Sequence, residues 1–71
     1  FVFYNINIDK HFYLGKEKLH QKLILANNIE LLAFNNNDNF KVNSNINFIA
    51  TISKNEFRGN ITINLILKKL I

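Results

Sequence analysis

Residues 45–67 read NINFIATISKNEFRGNITINLIL, two alternating runs around a polar centre. Ile46, Phe48, Ala50 and Ile52 alternate with mostly polar or smaller residues, and so do Ile61, Ile63, Leu65 and Leu67, with Ile49 and Ile66 as the exceptions. A period of two marks strands with one buried face. The segment between them, residues 54–60, is polar and contains one of the chain's two glycines. The pattern predicts an antiparallel hairpin in which Gly59 adopts a backbone conformation that side chains resist. A lone hairpin cannot bury its apolar face, so the remaining residues must form a second layer.

Seventy-one residues make one small domain, 1–71, and 48% hydrophobic residues suffice for a core without cross-links. There is no Cys, which excludes disulfides and thiolate metal sites and fits a reducing, cytoplasmic location. No apolar run approaches the roughly 20 residues of a membrane-spanning helix, so no membrane partner is expected. The N-terminal residues lack the basic flank and apolar length of a signal peptide. The chain opens on Phe1, which suggests a piece of a longer protein or a processed product. Nine Lys and Arg against five Asp and Glu give a net charge of +4, a modest lean towards polyanions. Asn is the most frequent residue; enrichment in Asn, Ile, Lys and Phe is what an AT-rich coding bias produces, so part of the charge is compositional.

From the start of the chain, Val2, Tyr4, Ile6 and Ile8 alternate with Phe3, Asn5, Asn7 and Asp9 and predict a first strand. The pattern breaks at Asp9 and resumes with Phe12 and Leu14 in the same parity, which implies a bend or bulge at residues 9–11. Residues 15–18 form a turn. Leu19, Gln21, Leu23 and Leu25 predict a second strand with these residues inward; a helix over residues 16–26 competes on propensity. An inward Gln21 requires a hydrogen-bond partner near the barrel end. Asn27 and Asn28 suit a tight turn, because Asn tolerates the left-handed region. Residues 29–34 form a third strand. Residues 35–45 are an Asn-rich loop that Phe40 and Val42 pin to the barrel. The fold class is therefore all-β: five strands in a small Greek-key barrel of the oligonucleotide/oligosaccharide-binding (OB) type, with an SH3-like barrel as the alternative.

Five pieces occur in order: Leu14-Gly15-Lys16, His20 to Leu23, Ala33-Phe34-Asn35, Asn55-Glu56-Phe57-Arg58-Gly59 and the strand Ile63 to Leu67. The set resembles the OB domain of RecJ, the single-strand-specific DNA exonuclease. Gln21 stands where that family usually has Leu, and Phe57 replaces the commoner Trp. The family's catalytic Asp-His-His motif is absent. The resemblance implies a non-catalytic OB module, the C-terminal part of a longer 5′-to-3′ exonuclease of DNA repair and recombination. It would guide single-stranded DNA to a nuclease core elsewhere. Its partners would be single-stranded DNA and the parent's catalytic domains, which use divalent Mn or Mg; no cofactor is expected in this chain.

Single-strand binding needs cations for phosphates and flat side chains for bases. OB folds use the outer face of strands two and three with the flanking loops. That plan selects Lys16 and Lys18 in the first loop, His20 and Lys22 on the outer face, and Lys54, Phe57 and Arg58 in the last loop. The bland alternatives are specific: solvated lysines, Phe57 as a plug at the barrel end, and Phe34 as core rather than stacking surface. Arg58 has the strongest chemistry, since a guanidinium both forks onto phosphate and stacks on a base. His11, His20, Asp9 and Asp38 have no metal-ligand spacing, and Ser44 and Ser53 have no His–acid pair to activate them. A second reading is a protein-interaction barrel docking the parent's domains or a replication partner through Ile24, Ile49 and Ile66.

Overall fold

A computed structural model describes residues 1–17 and 19–71; the candidate residue Lys18 lies outside them. Five strands, β1 (Val2–Leu14), β2 (His20–Leu25), β3 (Glu30–Ala33), β4 (Asn45–Phe57) and β5 (Asn60–Leu70), close into a barrel in the order β1-β2-β3-β5-β4. All neighbours are antiparallel except β3 and β5, which run parallel. This is the expected all-β, OB-like architecture. Between β2 and β3 a short 3₁₀ turn spans Ala26–Asn28, with Asn27 and Asn28 both at positive φ, so the Asn pair turns the chain as its chemistry suggests.

The core consists of Ile8, Leu23, Leu25, Leu31, Ala33, Phe40, Phe48, Ala50 and Leu65, with Phe3, Ile6, Ile46, Leu67 and Leu70 packed around it. Phe3 stacks on Phe48 at 4.9 Å. Gln21 is the one buried polar residue among the described residues, and its amide is fully used. Its Nε2 donates to the carbonyls of Asn36 and Asp38, both at 3.0 Å, and to Asn36 Oδ1 at 3.2 Å. Its Oε1 accepts from His11 Nε2 at 2.6 Å, which sets the ring proton on Nε2. Gln21 thus ties the loop after β3 to the barrel wall. Phe40 is buried in the core as expected, whereas Val42, expected to do the same, is exposed.

Four expectations fail, each for a definite reason. The register of β1 against β2 jumps between Ile8 and Lys10, a bulge at Asp9. One extra residue reverses the parity that follows. His11 and Tyr13 therefore lie opposite the buried Leu23 and Gln21, while Phe12 and Leu14 turn outward opposite Lys22 and His20. Second, β4 and β5 outrun the barrel. The β1–β4 ladder ends at Val2 and Ile49, and β3 meets β5 only from Asn64 onward. The distal hairpin is a free two-stranded arm, so Ile52, Ile61 and Ile63 are about half exposed instead of buried. Third, residues 54–57 belong to β4; only Arg58 and Gly59 form the loop. Both have positive φ, +52° and +78°, as a two-residue type I′ hairpin turn requires. Leu19 precedes β2 and is exposed rather than inward.

Candidate nucleic-acid interface

Residues directly opposite in a ladder share a face, so the register defines the outer surface row by row. Nearest the β1–β2 turn, Leu14 lies opposite His20. The next row runs Phe12, Lys22, Leu32 and Ile66 across β1, β2, β3 and β5. The third runs Lys10, Ile24, Glu30, Asn64 and Ser53.

Cationic and planar groups interleave on this surface. Lys22 Nζ sits 5.8 Å from the centre of the Phe12 ring, a cation–π distance, and 3.5 Å from Glu30 Oε1. His20 meets Phe34 edge-to-face at 5.5 Å. The backbone N–H of Asn35 donates to His20 Nδ1 at 3.0 Å, so the neutral ring carries its proton on Nε2. Phe34 follows the outward Leu32 and the buried Ala33 in alternation, and Asn35 turns the chain after it at φ +48°. Phe34 is 50% exposed and Phe12 46%, so neither is core. An open cleft of about 310 Å³ beside this pair is lined by Leu14, Gly15, Lys16, Glu17, Leu19 and His20.

The sequence candidates divide into separate groups. His20 and Lys22 share the outer face, and Lys16 lies in the turn at its β1–β2 end. Phe57 lies on the same side of the sheet as Ser53, but at the end of the arm. It is 70% exposed and plugs nothing; the Arg58 guanidinium lies 5.2 Å from its ring centre. Lys54 pairs with Ile63 in the same set as Ile52 and Leu65, which puts it on the opposite side of the sheet from Lys22. The turn with Lys16 and the turn with Arg58 flank the outer face at opposite ends. The Leu14–His20 row beside the first turn lies two steps beyond the Lys22–Leu32–Ile66 row, hence ten residue steps from Arg58, about 33 Å at ~3.3 Å per residue. Phe12 was not legible as a surface residue, because the bulge that exposes it changes parity without changing composition. The apolar patch of Ile24, Ile49 and Ile66 is half-buried.

Among the described residues no group of His, Asp or Glu could hold a metal ion, and no helix is long and apolar enough to cross a membrane. The family model for the RecJ OB domain matches residues 1–69, nearly the whole chain. No curated protein matches the sequence.

Proposed function

The chain belongs to the RecJ OB-domain family, and from that premise we propose that it is a single-stranded-DNA-binding module. It guides DNA to the nuclease core of a RecJ-like exonuclease and contributes no catalytic group itself. The observation that carries this reading is the outer face of β1 and β2 with the residue after β3, where the cation Lys22 stands among the planar groups of Phe12, His20 and Phe34. Half-exposed phenyl rings offer bases a stacking surface, and Lys22 beside Phe12 offers a phosphate a counter-charge. Lys16 and Arg58 extend the positive charge to the two ends. The Nε2–H of His20 adds a hydrogen-bond donor near the first end.

Fluorescence anisotropy with a labelled mixed-sequence 12-mer tests the proposal. Binding should weaken as salt rises, with log K falling by roughly 0.7 per phosphate contacted for each tenfold change in salt. Phe34→Ala and Phe12→Ala should each weaken it about five- to a hundredfold, the effect of losing ~1–3 kcal/mol of stacking. Both rings are half exposed, so circular dichroism should show the fold intact. Affinity that ignores both salt and these substitutions would reject the proposal.

The exposed apolar side of the arm, Ile52, Ile61 and Ile63, favours a second role in docking the parent's own domains. Substituting Lys22 and Arg58 with Ala separates the two roles. It should abolish oligonucleotide binding and leave any domain contact through the isoleucines unchanged.

A further inference from the structure

Glu30 is out of place on a surface meant for phosphates. The other four acidic residues lie elsewhere: Asp9 in the bulge, Glu17 in the β1–β2 turn, Asp38 in the loop after β3, and Glu56 on the far side of the arm. Glu30 sits in the third row of the outer face, between Ile24 and Asn64. Its carboxylate is held from two sides. Lys22 Nζ lies 3.5 Å from Oε1. The Asn64 amide, oriented to satisfy its own partners, donates to Oε2 at 3.0 Å and accepts from Asn55 Nδ2 at 3.1 Å. The carboxylate is fixed in orientation, yet its side chain remains 38% exposed, with lone pairs left over.

Next to it opens a polar cleft of about 350 Å³, lined by Asn28, Glu30, Thr62, Ile63 and Asn64. The cleft has two amides, a hydroxyl and a carboxylate as polar groups, and Ile63 as an apolar wall. A fixed carboxylate repels phosphate but accepts hydrogen bonds from an exocyclic amine, as Glu and Asp do from cytosine N4. Thymine presents a carbonyl oxygen at that position, and an acceptor facing a carboxylate is repelled.

We infer that this cleft reads the edge of a base and selects cytosine over thymine, with Glu30 as the discriminating group positioned by Lys22 and Asn64. The inference rests on the outer face binding single strands and assigns that face a base preference. Lys22 then has two partners in the complex, the phosphate backbone and the carboxylate it holds.

The test compares dC12 and dT12 binding to the whole chain and to Glu30→Gln, at one salt concentration and pH 8. The wild-type chain should bind dC12 about fivefold more tightly, the low end for one base-edge contact. Glu30→Gln presents either an oxygen or an NH₂ at the same place, so the ratio should fall close to one. Removing the negative charge should also tighten dT12 binding. A ratio near one in the wild type, or a ratio unchanged in Glu30→Gln, overturns the inference and leaves the binding face standing. If Glu30 only neutralises Lys22, the substitution strengthens both oligomers equally, which is the second of those results. Failure of the folded chain to bind either oligomer overturns the proposed function as well.

Discussion

Arg58 is the one residue other than Asn or Gly at positive φ among the described residues. An L-residue with a long side chain pays roughly 1–2 kcal/mol there, and Asn-Gly is the pair that type I′ turns prefer. Arg58→Asn should therefore stabilise the chain by about 0.5–1 kcal/mol, a rise in Tm of about 2–8 °C for a domain of this size. It should weaken oligonucleotide binding at the same time, because the guanidinium beside Phe57 is gone. Calorimetry and anisotropy on one preparation check both signs; a less stable variant would mean the turn carries no strain. Gln21 presents the opposite case. Gln21→Leu restores a residue type suited to a core, yet it leaves His11 Nε2 and the carbonyls of Asn36 and Asp38 without their partner. The expected cost is about 1–3 kcal/mol in urea unfolding, with faster hydrogen exchange at the loop amides. Both residues were conspicuous in the sequence, one as a polar interruption of a leucine run and one beside Gly59. The role of Asn was hidden by its abundance. Among the described residues five of the six non-glycine residues at positive φ are Asn (5, 27, 28, 35 and 43), so five of the chain's fourteen Asn stand where the left-handed region is needed.

At the scale of elements, β4 and β5 show what periodicity carries and where it stops. Alternation located both strands and their inward parity, and Phe48, Ala50 and Leu65 are buried as it implies. It carries no information on where the barrel ends, because Ile61 and Ile63 repeat the same pattern on an arm with nothing packed beneath it. Substitution should expose the difference. Leu65→Ala removes a side chain that is 4% exposed and should cost about 2–5 kcal/mol. Ile63→Ala, two residues earlier in the same strand and 58% exposed, should cost under about 1 kcal/mol. Chemical denaturation of the two variants measures the contrast; equal losses would place a packed layer under the arm. The Asp9 bulge sets a similar limit in β1. Its position was legible from the break in the pattern, but its effect on parity depends on the pairing with β2, and that pairing decides that Phe12 faces outward.

Taken as a whole, the molecule is 35 × 30 × 19 Å, and the two turns that carry Lys16 and Arg58 stand about 33 Å apart along the strands of the outer face. A site of that length has a property that neither turn has alone. A strand long enough to cover the face touches both ends, and a short one cannot. Ten residue steps of β-strand equal about ten nucleotide rises at ~3.4 Å each, so a 12-mer bridges both turns even when its bases remain stacked. A 4-mer held by Phe12, Lys22 and Phe34 does not. With the 12-mer, Lys16→Ala and Arg58→Ala should each reduce the salt slope by about 0.7, and the double substitution by about twice that. The two side chains lie far more than about 10 Å apart and do not touch each other, so their free-energy losses should add. With the 4-mer, Lys22→Ala should still weaken binding, while at most one of the two end substitutions has an effect. Anisotropy titrations at three salt concentrations, for each length and each variant, separate these cases. If the end substitutions matter equally for both lengths, the two turns act on one compact site, and the linear track along β2, β3 and the arm is wrong.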